Sequence, residues 1–287
     1  MRRAIEARTR DNNHGSARAY RGSFRFPTAM LATALTVGAF VHDARSQDGD
    51  ADEIAFSDVS IILETNATDC DTGLQLFFDG DPWKTVKVED PSGRRILDVR
   101  ALGPLGGFGL TEQFNETNEP VMEEVVEGFP ELECEEPEFT LEELFELFPK
   151  GIYEFEGRTV EGDEIEGHAT LSHVIPAPPD IVAPEEDSVL DANEPVIIEW
   201  TRVDEPIMPG LGREPLDDVE IIGFQVIVVR EDPSPLVVFS ADLPADATEV
   251  TVSPEFLQSG ASYTFEVLQV DVSGNQTIAE SGFETAA

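Results

Sequence analysis

From about residue 55 onward, apolar and polar residues alternate with a period of two, the spacing of strands that bury one face. Val59, Ile61 and Leu63 share one face of a first predicted strand, and Leu74, Leu76 and Phe78 share one face of the next. Val86 and Val88 form a third, stopped by the turn sequence Asp90-Pro91-Ser92-Gly93. A fourth starts at Arg94 with Ile96 but alternates irregularly, and residues 103–138, rich in Gly and then in Glu, predict loops with short strands. Over 140–148 the period changes to that of a helix: Leu141, Leu144, Phe145 and Phe148 make one apolar stripe. Thr140 and Glu143 have the spacing of a capping box, and Pro149-Lys150-Gly151 ends the element. A hairpin then runs from Ile152 to Val160, turns at Glu161-Gly162-Asp163 and returns to Val174, and Asp79-Gly80-Asp81-Pro82-Trp83 predicts a further tight turn.

The prolines of Ile175-Pro176-Ala177-Pro178-Pro179-Asp180 mark a stiff boundary. Beyond it, Val196, Ile198 and Trp200 fall on one face of a strand, Phe224, Val226 and Val228 on a facing one, and Val250 and Val252 on a shorter one. Leu257, Gly260 and Tyr263 have the Leu-x-x-Gly-x-x-Tyr spacing of fibronectin type III domains, and with Trp200 and the strand order they make residues 177–287 resemble that family. The resemblance implies a β-sandwich in which the Tyr263 hydroxyl bonds back to the chain as a corner, with Trp200 and Tyr263 as core residues. It departs from the family in an insertion at 206–218 and a short helical turn at Ser253-Pro254-Glu255-Phe256, and it has no Arg-Gly-Asp tripeptide. The run from Pro149 to Gly157, followed by Glu161-Gly162-Asp163, resembles the closing hairpin of bacterial immunoglobulin-like modules. The expected fold is therefore all-β: two tandem immunoglobulin-like and fibronectin type III-like sandwiches at 55–176 and 177–287, with one short helix in the first.

The first 46 residues have the order of a secretory signal. Seven Arg lie within residues 1–25, an apolar run follows at 26–41, and Ala44-Arg45-Ser46 offers small residues at a cleavage site. The run is short of the ~20 residues of a comfortable membrane span, so an uncleaved anchor is the alternative. Residues 47–54 read as a polar lead-in. These features predict a secreted, periplasmic or cell-surface protein.

Charge narrows the partners. The chain carries 18 Lys and Arg against 59 Asp and Glu, a net −41. Removing residues 1–46, with 8 Arg and 3 acids, leaves 10 against 56, a net −46. Nucleic acid and anionic membrane surfaces are poor partners for such a chain. An acid-rich surface is also a common solubility device, and the belt at 123–146 fits a solvated face as readily as a basic partner.

Candidate chemistry is sparse. Two cysteines, Cys70 and Cys134, permit one disulfide in an oxidising compartment, free thiols being the alternative. Asn66-Ala67-Thr68-Asp69-Cys70-Asp71-Thr72-Gly73 spaces Asp69 and Asp71 so that their oxygens can face one Ca²⁺, and it resembles the Asp-x-Asp calcium segment of cadherin repeats without the other cadherin calcium motifs. The same residues suit an ordinary turn. Asp79 and Asp81 can join that ion only if the strand ends meet. His168 and His173, five apart on one predicted strand, point to opposite faces. No nucleophile elbow, phosphate-binding Gly-rich loop or His-Glu-x-x-His pair occurs, so no catalytic residue and no resident cofactor is expected. Asn66, Asn115 and Asn275 begin Asn-x-Ser/Thr tripeptides. The expected function is a non-enzymatic interaction or adhesion module for an unidentified protein or glycan. The alternatives are a calcium-stabilised extracellular module and a carbohydrate-binding accessory domain of a secreted enzyme system, which exposed aromatics on one sheet would mark.

Overall fold

The computed structural model describes residues 53–128, 134–207, 219–230 and 237–287. The signal-sequence reading, most of the lead-in, residues 129–133 of the acidic belt and residues 208–218 of the insertion lie outside these ranges.

The first sandwich is built from β1 (Glu53–Ala55), β2 (Asp58–Asn66), β3 (Asp71–Glu89), β4 (Arg95–Arg100), α1 (Pro104–Phe108), β5 (Leu110–Glu116), α2 (Glu123–Gly128), α3 (Leu141–Leu147), β6 (Gly151–Thr159) and β7 (Glu164–Leu171). The two strands expected at 74–78 and 86–88 are one strand, β3, and the turn expected at 79–83 is a corner within it. Residues 71–79 pair with β2 and β5 in one layer, and the chain from Trp83 onward pairs with β4 and β6 in the other. Gly80 makes the corner tight: a Cβ there would lie 2.8 Å from Ile165 and 2.9 Å from the Phe56 ring. The corner therefore folds β7 across β2 and encloses Phe56, Phe78, Trp83 and Phe155, whose rings pack edge-on and tilted at 5.4–5.8 Å.

The helix read at 140–148 is α3, with its capping box complete: the Glu143 N–H donates to the Thr140 hydroxyl while the Glu143 carboxylate accepts from the Thr140 N–H. Two further short helices, α1 and α2, occupy the stretch that composition alone marks as loop. Glu53 and Ile54, expected in the lead-in, belong to β1 and pair parallel with Glu164 and Ile165. His173 lies beyond the end of β7, stacked on Phe145 at 3.9 Å with Nε2 2.8 Å from the Phe148 carbonyl, so the two histidines do not share a strand.

The second sandwich adds β8 (Asp180–Ala183), β9 (Ser188–Leu190), β10 (Val196–Thr201), β11 (Ile221–Arg230), β12 (Val237–Pro244), β13 (Glu249–Val252), β14 (Ser262–Asp271) and β15 (Gln276–Thr285). Three strands, β13-β10-β8, face the four of β15-β14-β11-β12. Between them lie Trp200 against Phe224 and Tyr263 stacked on Phe283. The Tyr263 hydroxyl accepts from the Gln258 N–H at 2.7 Å, the corner that the resemblance implies.

The two sandwiches share a sheet. β15 pairs parallel with β2 over Glu64–Gln276, Thr65–Thr277 and Asn66–Ile278, which joins the main sheets into one of twelve strands. Asn275 is fully buried at this seam. Its Oδ1 accepts from the Leu63 N–H at 2.8 Å, and its Nδ2 donates to the carbonyls of Ser172 and Val174 at 3.1 and 2.6 Å. The Thr277 hydroxyl donates to the Pro176 carbonyl, and Gln269 Nε2 donates to those of Ala177 and Val203. The proline-rich boundary is thus bonded to the second sandwich at Pro176 and Ala177. A glycan on Asn275 is incompatible with this packing, since its amide nitrogen is already committed to two carbonyls.

Replacing Asn275 with Ala strands a buried N–H and two carbonyls, so Asn275→Ala is expected to lose about 2–4 kcal/mol of unfolding free energy. Urea denaturation followed by tryptophan fluorescence, which reports Trp83 in one core and Trp200 in the other, is expected to show one transition where the seam couples the sandwiches and two in Asn275→Ala.

Candidate functional site

The seam between the sandwiches gathers carboxylates. Glu64 lies on β2, cross-strand from Gly73 on β3 and beside Gln276 on β15. By period two it is on the face opposite Ile61 and Leu63, which a single sandwich would leave in solvent. Here β15 and the segment after β5 cover it, and it is 1% exposed. Gln276 Nε2 donates to Glu64 Oε2. Glu116, at the end of β5, accepts from Gln75 Nε2 at 3.1 Å. Glu119 follows in the next loop and lies over Gly73, where a Cβ would come within 2.7 Å of its Cγ. Glycine at 73 therefore makes room for Glu119.

Carboxylate oxygens of Glu64, Glu116 and Glu119 lie within 4.8 Å of one another. Ligands at 2.3–2.6 Å from a Ca²⁺ ion are separated by at most about twice that distance, so one ion can span the three.

The loop that carries Glu119 is held from both sides. Cys70 and Cys134 form a disulfide across a separation of 64 residues. The Met122 N–H donates to the Cys70 carbonyl at 2.9 Å, and Val121, Met122 and Val125 are buried in the first core.

Asp69 and Asp71 border this cluster and are not among its three closest members. Asp69 sits in a turn whose geometry Asn66 sets: Asn66 Oδ1 accepts from the N–H groups of Thr68 and Asp69, and its Nδ2 donates to Asp69 Oδ2. Asp71 opens β3 opposite Asn66. Asp79 and Asp81 are a whole strand away, since eight residues of β3 span about 26 Å, so they do not meet Asp69 and Asp71. Asp79 pairs instead with Asp58 and Glu112.

Crowding and burial alter the acidities. Burial first, then the charges of Asp71, Glu116, Asp69 and Glu266, push Glu119 up to about 8. Burial and the Asp69 charge push Glu266, on β14, up to about 7. Burial also raises Glu64 well above the usual carboxylate range, with Glu119 adding to it and the Gln276 bond opposing it, and burial raises Glu116 against the Gln75 bond. Asp90 behaves in the opposite way. Its burial is outweighed by the bonds it accepts from the Ser92 hydroxyl and the Arg94 and Ser92 N–H groups, which hold it down to about 2.

No family model matches the sequence, and no curated protein does. Solved structures with a likeness to the chain include fibronectin(III)-like modules of Clostridium thermocellum CbhA, at 10% identity over 80% of this chain and 93% of that one, with a TM-score of 0.30. The FN1–FN3 domains of chicken CNTN1 match at 10% identity over 83% and 66%, TM-score 0.31. The fn3 domain of human collagen alpha-1(XX) matches at 16% identity over 39% and 88%, TM-score 0.26. At these scores the likeness carries no mechanism, and the all-β sandwich description rests on the strands and cores themselves.

The four raised carboxylates bind protons in the native state that the unfolded chain releases near its ordinary value of about 4.5. Their stabilisation is complete below that value and is lost as pH rises through the folded values of about 7 and 8. Unfolding free energy is therefore expected to fall between pH 5 and 8, by on the order of 2–4 kcal/mol. His173, held below its usual value by burial, has the opposite sign, its contribution growing as pH rises toward 6.5. Glu119→Gln isolates the carboxylate effect: it is expected to flatten the slope, and denaturation at pH 5, 6.5 and 8 measures it. Reducing the Cys70–Cys134 disulfide is expected to cost about 4 kcal/mol by loop-closure entropy. It should also weaken the pH dependence, because it frees the segment that carries Glu119.

Proposed function

We propose that this chain is an exported, non-catalytic interaction module, acting outside the cytoplasm on a protein or glycan partner. The observation that carries this reading is the seam. Asn275, Thr277 and Gln269 bond the connecting segment 172–177 to the second sandwich, so the two sandwiches present their loops from one body. A fixed spacing between loops lowers the ordering cost of engaging a partner at more than one point. A carbohydrate-binding reading draws less support, since both Trp83 and Trp200 are buried in cores and the exposed Phe108 lies at the end of α1 and not on a sheet face. The signal-like leader and the net charge of −46 support export and argue against nucleic acid. The test is an array of extracellular glycans and envelope proteins probed with the exported chain. Saturable binding of a small set, without turnover of the bound species, is the expected result, and turnover would replace the reading with an enzymatic one.

A second reading has its own observation. The mutual closeness of Glu64, Glu116 and Glu119, with Asp69 and Asp71 at the rim, favours a calcium-stabilised form of the same module. One divalent ion would relieve the repulsion that protons relieve at low pH. Thermal unfolding at pH 8 in millimolar Ca²⁺, millimolar Mg²⁺ and chelator distinguishes the cases. A calcium-selective rise that Glu119→Gln removes supports the ion; at a hundredfold excess over Kd it amounts to about 2.7 kcal/mol. If Asp69→Ala with Asp71→Ala also removes it, the ion reaches the turn. An equal rise with Mg²⁺ means general screening, and no rise sinks the calcium reading.

A further inference from the structure

The outer face of the layer formed by β4, β3, β6 and β7 carries a cleft of about 380 Å³. That volume falls within the roughly 300–1,000 Å³ of small-molecule sites. Thr85 is its floor. Thr85 and Lys87 point outward because Val86 and Val88, which alternate with them, are buried. Cross-strand register puts Arg100 of β4 on one side of Thr85 and Arg158 of β6 on the other. A short hydroxyl side chain therefore lies between two long ones, whose strands stand about 10 Å apart at the usual spacing.

The charge of this cleft departs from that of the chain. Residues 84–100, which supply much of it, hold five Lys or Arg against three acids, a net +2 in a chain of net −41. β6 and β7 add acids, and the lining as a whole has four cations and four carboxylates. These charges are joined in pairs. Arg100 Nε and Nη2 donate to the two Asp98 oxygens at 2.9 and 3.1 Å, and Lys87 Nζ lies 2.6 Å from Glu156. Arg158 donates to Glu164 and to the Gly162 carbonyl. The Arg100 bond holds Asp98 below the usual carboxylate range, and the Glu156 bond holds Lys87 above its ordinary value, so both pairs keep their charge through the neutral range.

Paired charges select the ligand. An anion finds these cations already bonded to carboxylates and meets the field of the remaining acids. A free cation meets the guanidinium groups. Two neighbouring sugar hydroxyls suit a pair as a unit: one donates to the carboxylate while the other accepts from the guanidinium beside it. Arg100 has N–H groups to spare, since two of its five reach Asp98, and each carboxylate oxygen can accept more than one bond. The pairing also fixes the long side chains in advance, which lowers the ordering cost of binding. Aromatic stacking, which the buried Trp83 and Trp200 do not offer, is one route to a sugar; hydrogen bonding through paired charges is another.

We propose that this cleft binds a neutral saccharide through hydrogen bonds to Thr85, Arg100, Arg158 and the carboxylates paired with them. The proposal rests on the interaction-module reading above and gives that module its class of ligand.

The test is titration of the exported chain with short neutral oligomers of glucose, galactose, mannose and N-acetylglucosamine, followed by calorimetry and amide hydrogen exchange. Saturable binding of at least one oligomer is expected, unchanged from low to high salt, with protection gained at residues 85–87, 98–100 and 156–158. Thr85→Tyr fills the floor and Arg100→Gln removes charged donors, and each is expected to weaken binding roughly tenfold or more. Both side chains face solvent and exposed ion pairs contribute little to folding, so the melting temperature should not change. A saccharide that binds Thr85→Tyr as well as the parent overturns the cleft as its site and leaves the interaction reading standing. Tighter binding of a uronate oligomer, weakened by salt, overturns the neutral class. Absence of binding by all four oligomers overturns the proposal outright, and a protein partner captured on the array then still upholds the interaction reading.

Discussion

A buried side-chain amide holds this protein together. Asn275 sits where β14 turns into β15, and its three bonds reach β2 of the first sandwich and the segment leading out of β7. An amide can accept and donate at once, so one residue closes a seam that involves three stretches of chain distant in sequence. With the seam closed, β15 can extend the sheet of the first sandwich through β2, and both cores keep their own apolar packing. A hydrophobic residue of similar size would fill the space but leave the Leu63 N–H and two carbonyls without partners, a cost that burial of a few methylenes does not offset.

The same seam creates the site. Glu64 would be an ordinary surface carboxylate on an isolated first sandwich. Parallel pairing with β15 puts Gln276 beside it, the loop after β5 lays Glu119 over Gly73, and β14 contributes Glu266 to the neighbourhood. Repulsion within the cluster is therefore a consequence of joining the sandwiches. The carboxylates report on that joining: whatever neutralises them, a proton or a cation, strengthens the assembled form, and ionising them loads the seam with like charge.

Much of the architecture was legible because local patterns carry it. Val59, Ile61 and Leu63 alternate as a half-buried strand must, Thr140 and Glu143 cap a helix by contacts within one turn, and Leu257, Gly260 and Tyr263 lie close enough in sequence for a corner to be recognised. Where reading failed, a local signal had a tertiary override. Asp79-Gly80-Asp81-Pro82 has the residues of a turn, yet pairing partners on both sides keep β3 continuous through a corner. β12 alternates half-buried Val237, Phe239, Ala241 and Leu243 with exposed positions, so its period-two pattern was there to be read and was missed. Asp69 and Asp71 stand out because they are close together in sequence. Glu64, Glu116 and Glu119 do not, because one lies on an apparently solvent-facing position and the others follow after some 50 residues.

The sequence by itself determined the strands, their inward faces, the capped helix and the excess of acid, because period, capping and charge are properties of neighbours along the chain. Only the tertiary structure decided which acids meet and how the two sandwiches are joined. Each of these depends on strand pairing between segments far apart in sequence, and register between such segments leaves no mark on either one alone.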